Sequence, residues 1–201
     1  MRARPSTRPS RRIDGIDLRL GDLARELAVL EHLNLPTALE TPRAALVIRR
    51  AEPTDLFAIV SLLSDDAVSA SRGDTASDED EAVYRAALER IIGDPANELV
   101  VVVDQAETIV GTLQLTLIPG MARRGSTRLL VEAVRVANSV RSSGIGTALM
   151  EWVVEQAAYE LDAPLVQLTS DAARSDAHRF YRRLGFVDSH VGFKYHVAPK
   201  A

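Results

Sequence analysis

The sequence predicts a mixed α/β fold, a sheet flanked by about four helices. Three observations predict it. Short runs rich in β-branched residues recur along the chain, among them Leu46-Val47-Ile48, Leu99 to Val103 and Leu165-Val166. Stretches with apolar residues three and four apart lie between those runs, the spacing of helices with one buried face. The longest unbroken aliphatic run, Leu99 to Val103, is far short of the roughly 18 residues a membrane-spanning helix needs.

The 201 residues are 46% hydrophobic and 26% charged, the balance of one ordinary globular domain with an appendage. There is no cysteine, which excludes disulfides, thiolate metal sites and a thiol nucleophile, and fits a reducing, cytoplasmic setting. The net charge of −4 argues against general nucleic-acid binding. Neither a nucleic acid nor a membrane is an expected partner. Residues 1–12 hold five arginines and no acid, and their Pro and Ser content predicts disorder. No apolar stretch follows Arg11-Arg12, so an export signal is rejected.

The appendage, residues 1–44, continues with a short amphipathic helix. Asp22 is its N-cap and Leu23, Leu27 and Leu30 form its apolar stripe, with Leu35-Pro36 as the stop. Packing on the main domain and a dimer or partner contact are the two roles open to it. Thr41-Pro42 reads as a linker, and the main domain spans 45–201. Its first strand is Leu46 to Arg49. Pro53 opens a helix buried through Leu56, Ile59, Val60 and Leu63. Residues 65–81 carry seven acids. The last of them, in Ser77-Asp78-Glu79-Asp80, resemble a capping box for a helix ending at Gly93.

Strands at Glu98–Val103 and Thr108–Ile118 are joined by a hairpin turn, and Arg128 to Val136 is another strand. A long helix from Gly144 to Tyr159, a strand at Leu165–Thr169 and a helix from Asp176 to Leu184 follow. The tail reads as two short strands, near Phe186–Asp188 and Gly192–Val197. The four histidines show no ligand spacing, and no metal is expected.

The chemistry lies in Glu132 to Thr147: strand, short polar loop, helix. Such a loop offers free backbone N–H groups at the positive end of a helix dipole, a site for a phosphate or pyrophosphate. Gly144 and Gly146 let an anion approach the backbone, and Arg141 adds a forked contact. A phosphate loop of the Gly-Lys-Ser type is excluded because no lysine is present here. A dinucleotide fingerprint is excluded by Leu149 at its third small position.

Arg141-Ser142-Ser143-Gly144-Ile145-Gly146, followed one helix and one strand later by Ala177-x-x-Phe180-Tyr181-x-x-x-Gly185-Phe186, resembles the GNAT superfamily of acetyl-CoA-dependent N-acetyltransferases. The likeness covers Leu46 to Val197. It implies a central mixed, largely antiparallel sheet of six to seven strands with a notch between two parallel strands. It implies acetyl-CoA as co-substrate and a small primary amine as acceptor. By resemblance, Val134 and Val136 pair with the pantetheine chain beside Arg135. The amides of Ser142, Ser143, Gly144, Ile145, Gly146 and Thr147 meet the pyrophosphate with Arg141.

Tyr181 is placed as proton donor to the leaving thiolate, and Glu132 as the base that takes the amine proton. Pairing of Glu132 with Arg128 is the competing reading. Where the family has Asn, this chain has Arg174, which cannot accept a hydrogen bond but suits a phosphate. Without cysteine, direct transfer in a ternary complex is expected, with a homodimer as the candidate assembly. The alternative is a non-catalytic acyl-CoA sensor or partner-docking module.

Overall fold

The computed structural model describes residues 29–66, 73 and 77–198. The basic arm of 1–12 and the helix start at Asp22, Leu23 and Leu27 lie outside the described residues. Leu30 closes a 3-10 turn, Val29–His32, and is buried.

The strands are β1 (Thr37–Glu40), β2 (Ala45–Arg50), β3 (Asn97–Val103), β4 (Ile109–Ile118), β5 (Arg128–Val136) and β6 (Val166–Leu168). They form one sheet in chain order. Each neighbour is antiparallel except β5 and β6, which are parallel. The helices are α1 (Leu56–Ser64), α2 (Glu81–Ile92), α3 (Ile145–Trp152) and α4 (Ser175–Arg183). α3 runs on through a π turn, Val153–Ala157, into a last turn, Ala158–Glu160. The mixed, largely antiparallel sheet agrees with the fold expected from the sequence.

The sheet separates two apolar layers. On one face α3 and the 3-10 turn bury Leu149, Val153 and Leu30 against Ile48, Leu113 and Leu129. On the other, α1 and α2 bury Ile59, Val60 and Leu88 against Val101 and Val103. Because both faces are covered, β3 is apolar at consecutive positions, Leu99 to Val103, instead of alternating.

Strand β1 is a finding beyond the sequence reading. Thr41 and Pro42 form the connection between two paired strands, with Leu39 buried. Arg50 ties the preceding turn down. Its Nη2 donates to the carbonyls of Leu30, Glu31 and Leu33 at 3.0, 3.1 and 3.2 Å, and its Nε to Glu98 at 2.8 Å. The start of α1 is fixed by Asp55, 7% exposed. Its carboxylate accepts two bonds from Arg49, at 2.7 and 2.9 Å, and one from the Glu52 N–H at 2.8 Å.

At the start of α2 the Ser77 hydroxyl donates to the Asp80 carboxylate at 2.8 Å and the Asp80 N–H to the Ser77 carbonyl at 3.1 Å. One expectation needs correction. In the tail, residues 186–198 form no strand. The residues alternate as a strand would, but a strand exists only when another strand supplies its ladder, and no described element does so here.

Candidate functional site

The parallel pairing of β5 with β6 is short. Leu129, Leu130 and Val131 face Val166, Gln167 and Leu168, and there it stops. β5 continues to Val136, paired to β4 alone. A bulge lies just past the point of separation. The register with β4 shifts between Thr112 and Gln114, and Ala133 takes a φ of 51°. A bulge bends its strand and adds twist. The result is a notch, with Glu132 to Val136 as one wall and the chain after β6 as the other. On that second wall the Ser170 hydroxyl is buried with no hydrogen-bond partner among the described residues. A buried hydroxyl of this kind is ordinarily satisfied by a ligand or water.

The loop after β5 closes one end of the notch. Ser142 and Gly144 both adopt positive φ, 63° and 95°. The first intrahelical bond of α3 runs from the Ala148 N–H to the Gly144 carbonyl, 3.0 Å. The amides of Ile145, Gly146 and Thr147 therefore precede any intrahelical acceptor and point out of the helix end. Ser143 is turned inward, its N–H and hydroxyl both meeting the Val140 carbonyl, at 3.3 and 2.6 Å. Arg141 is exposed beside them. A Cβ built on Gly144 meets Pro42 Cδ at 3.2 Å, so the β1–β2 connection lies against this loop.

The two sequence motifs converge at Gly146. A Cβ there lies 3.6 Å from the Phe180 ring and 3.8 Å from Val136. Helix start, bulged strand and closing motif thus meet at one point. Next to Phe180, Tyr181 is half-buried, its ring edge-on to Phe180 at 5.1 Å and to Phe186 at 5.8 Å. Burial pushes its phenol above the ordinary value of 10.0, against the opposing pull of the Arg174 and Arg135 charges.

Glu132 stands exposed on β5, opposite Gln114, and makes no ion pair with Arg128 among the described residues. Arg174 sits at the N-cap of α4 and is ion-paired to Asp66 at the end of α1. The same carboxylate lies 3.9 Å from Arg135. Asp66 is the residue that sequence reasoning missed. It belongs to the acidic stretch 65–81, of which only the last residues were assigned to helix capping, and only folding brings it between two arginines more than 60 residues away. Ser170 was missed as well, because one serine after a strand carries no signal. The described residues hold no cluster of three His, Asp or Glu side chains placed to bind a metal.

The sequence model of the Acetyltransferase (GNAT) family matches residues 58–186. The chain belongs to that family. This GNAT chain is 39% identical to a solved structure described as a transcriptional regulator from Bacillus halodurans C-125. The two superpose with a TM-score of 0.71 over 76% of this chain and 99% of the other. A putative acetyltransferase from Agrobacterium tumefaciens shares the fold, at 23% identity and a TM-score of 0.62 over 75% of this chain and 99% of that one. A 63-residue stretch is 36% identical to the aminoalkylphosphonate N-acetyltransferase of Salmonella typhimurium. It spans 31% of this chain and 40% of that enzyme.

Proposed function

We propose that the protein transfers the acetyl group of acetyl-CoA to a small primary amine by direct attack in a ternary complex. The observation that carries this reading is the place of Tyr181, packed on Phe180 beside a notch whose end is closed by outward-pointing amides. In that notch the pantetheine chain runs alongside Val134 to Val136. The pyrophosphate lies on the amides of Ser142 and of Gly144 to Thr147, with Arg141 over it, while the Ser143 amide stays on the Val140 carbonyl. Ser170 supplies a hydroxyl from the opposite wall.

Glu132 takes the proton of the attacking ammonium, directly or through one water. The amine nitrogen bonds to the thioester carbon, the carbon–sulfur bond breaks, and Tyr181 gives its proton to the departing thiolate. A phenol with a raised pKa holds its proton until the thiolate forms. No metal enters this scheme. Arg174 and Arg135, steadied by Asp66, keep positive charge near the thiolate and phosphates.

The working unit is proposed to be residues 45–201, with 1–44 as an extension whose Leu30–Glu40 portion packs against it. It is proposed to act in the cytoplasm as a homodimer. The Salmonella relative makes aminoalkylphosphonates the first acceptors to try, beside plain amines and amino acids. The Bacillus halodurans relative favours a second reading, a non-catalytic acyl-CoA sensor. One experiment separates the two: coenzyme release measured over an amine panel, with calorimetric titration of acetyl-CoA alongside. Turnover supports the enzyme. Tight binding without turnover on any amine supports the sensor, and no binding of acetyl-CoA refutes both.

A further inference from the structure

The sheet face beside Glu132 carries a polar network that the transfer scheme leaves unused. Leu113, Leu115 and Leu117 on β4, and Leu129 and Val131 on β5, pack in the layer under α3. Side chains alternate along a strand, so Gln114, Thr116, Leu130 and Glu132 turn to the other face. Asn97 shares that face, because Leu99 and Val101 on the same strand pack under α1 and α2. The register sets Asn97 opposite Thr116, and Gln114 between Leu99 on β3 and Glu132 on β5. Asn97 and Gln114 are half-buried and Glu132 is exposed, so this part of the face opens to solvent.

The network fixes which way each amide points. The ionised Asp94 carboxylate can only accept. It takes the Asn97 Nδ2 at 2.9 Å, with the Ala96 N–H on its other oxygen, also at 2.9 Å. The Asn97 Oδ1 is thereby turned to β4, where it accepts the Thr116 hydroxyl at 2.6 Å and the Gln114 Nε2 at 2.9 Å. Reversing either amide would set donor against donor or oxygen against oxygen. Gln114 therefore has its NH2 group committed to Asn97 and its Oε1 turned away from β3. No described residue donates to that oxygen. Across from it stands Glu132, and directly opposite residues on paired strands have Cβ atoms about 4.5–5.5 Å apart. One small group can reach both side-chain oxygens.

We propose that Gln114 binds the acceptor amine and selects primary amines, its Oε1 holding the one N–H that the product amide keeps. The assignment rests on the acetyl-transfer reading and adds a second contact to the same nitrogen. A primary ammonium has three hydrogens. The first goes to Glu132 before attack. The second passes to water as the tetrahedral nitrogen becomes the amide. The third stays, and it is the one on Gln114. A secondary ammonium has only two, so nothing remains for Gln114 once the amide forms. The nitrogen gains positive charge as it bonds to the thioester carbon, so an oxygen on its N–H holds it more strongly then than before attack. Asn97 is the positioning residue, acting through the Gln114 amide.

The test uses the full chain, with an amine the parent acetylates and the N-methyl derivative of that amine. The parent is expected to favour the primary amine. Gln114→Met keeps the length of the side chain and removes the oxygen, and should lower kcat/KM for the primary amine by about 10–100-fold. Its kcat/KM for the N-methyl amine and its acetyl-CoA affinity by calorimetry should stay near the parent's. A second pair of variants does not depend on that one folding. Asn97→Ala releases the Gln114 amide and should lower kcat/KM for the primary amine. Asn97→Asp keeps the oxygen that Gln114 and Thr116 donate to, but sets a second carboxylate against Asp94. It should melt below the parent and still keep most of the primary-amine kcat/KM, whereas in a network with only a structural role the rates follow the melting temperature. Three results overturn the assignment and leave the transfer reading standing: parental primary-amine kcat/KM in Gln114→Met, an equal loss on both amines, or an Asn97→Asp protein as slow as Asn97→Ala. A parent with no turnover on any amine overturns the transfer reading and this assignment together.

Discussion

Gly144 and Gly146 occupy the same motif, yet alanine at the two positions should act in opposite directions. Gly144 has a φ of 95°, where an L side chain costs roughly 1–2 kcal/mol. Its new methyl also meets Pro42 Cδ at 3.2 Å, closer than ordinary contact, which adds some tenths of a kcal/mol on the order of a strained rotamer. For a chain of this size each kcal/mol moves the melting temperature by about 2–4 °C, so Gly144→Ala should lower Tm by roughly 3–8 °C. Gly146 lies inside α3 with helical backbone, and its methyl meets Phe180 and Val136 at 3.6 and 3.8 Å, ordinary contact distances. Alanine there gains helix propensity of up to about 1 kcal/mol, so Tm should hold or rise by up to about 4 °C.

Both variants are melted by differential scanning calorimetry with and without saturating acetyl-CoA. Gly144→Ala should also reduce the stabilisation the coenzyme confers, because moving Pro42 or the loop disturbs the amides at the helix end. A Gly144→Ala protein that melts at or above the parent would refute the reasoning. So would a Gly146→Ala protein that melts below Gly144→Ala.

Tyr181→Phe should lower kcat by about 10²–10⁴-fold with little change in acetyl-CoA affinity, measured by steady-state kinetics and calorimetry. With the phenol raised above 10.0, the alkaline fall of kcat due to Tyr181 should lie above pH 10 in the parent. Asp66→Asn removes the negative charge from beside Arg174 and Arg135, so their pull on the phenol strengthens and that fall should move to lower pH. Arg141→Ala removes an exposed charged donor, and should weaken acetyl-CoA binding by about 10-fold or more without changing Tm, as read by titration and melting. Asp55→Ala should cost about 3 kcal/mol, because it strands Arg49 and the Glu52 amide. Burial alone would raise the Asp55 pKa, but the Arg49 bond and charge with the Glu52 N–H outweigh it and hold the value below 3.8. Its stabilisation is therefore present above pH 3.8 and lost as pH falls through the lower native value, which acid titration of parent and Asp55→Asn would compare.

Local signals carried the amino-acid pattern a long way. β3, β4 and β5 follow from short-range β-branched runs, and α1 and α2 from their apolar spacing and end signals. The loop from Arg141 to Gly146 and the Phe180-Tyr181 pair are legible because each is a contiguous motif, and contiguous residues constrain one another through the backbone. β1 was not legible. Thr37–Glu40 is four residues after a proline, too short for periodicity, and becomes a strand because β2 offers it an edge. The tail shows the converse, since its alternation is plain and its partner is absent from the same sheet.

The sequence alone determined the family, the order of most elements and the residues of the anion loop, because these depend on neighbours a few positions apart. Tertiary structure alone decided three things. The notch opens where β6 leaves β5. Asp66 comes to lie between Arg135 and Arg174. Burial raises the Tyr181 phenol above its ordinary value of 10.0. Each depends on groups distant along the chain sharing one small volume, where desolvation and charge act over a few ångströms and take no account of sequence separation.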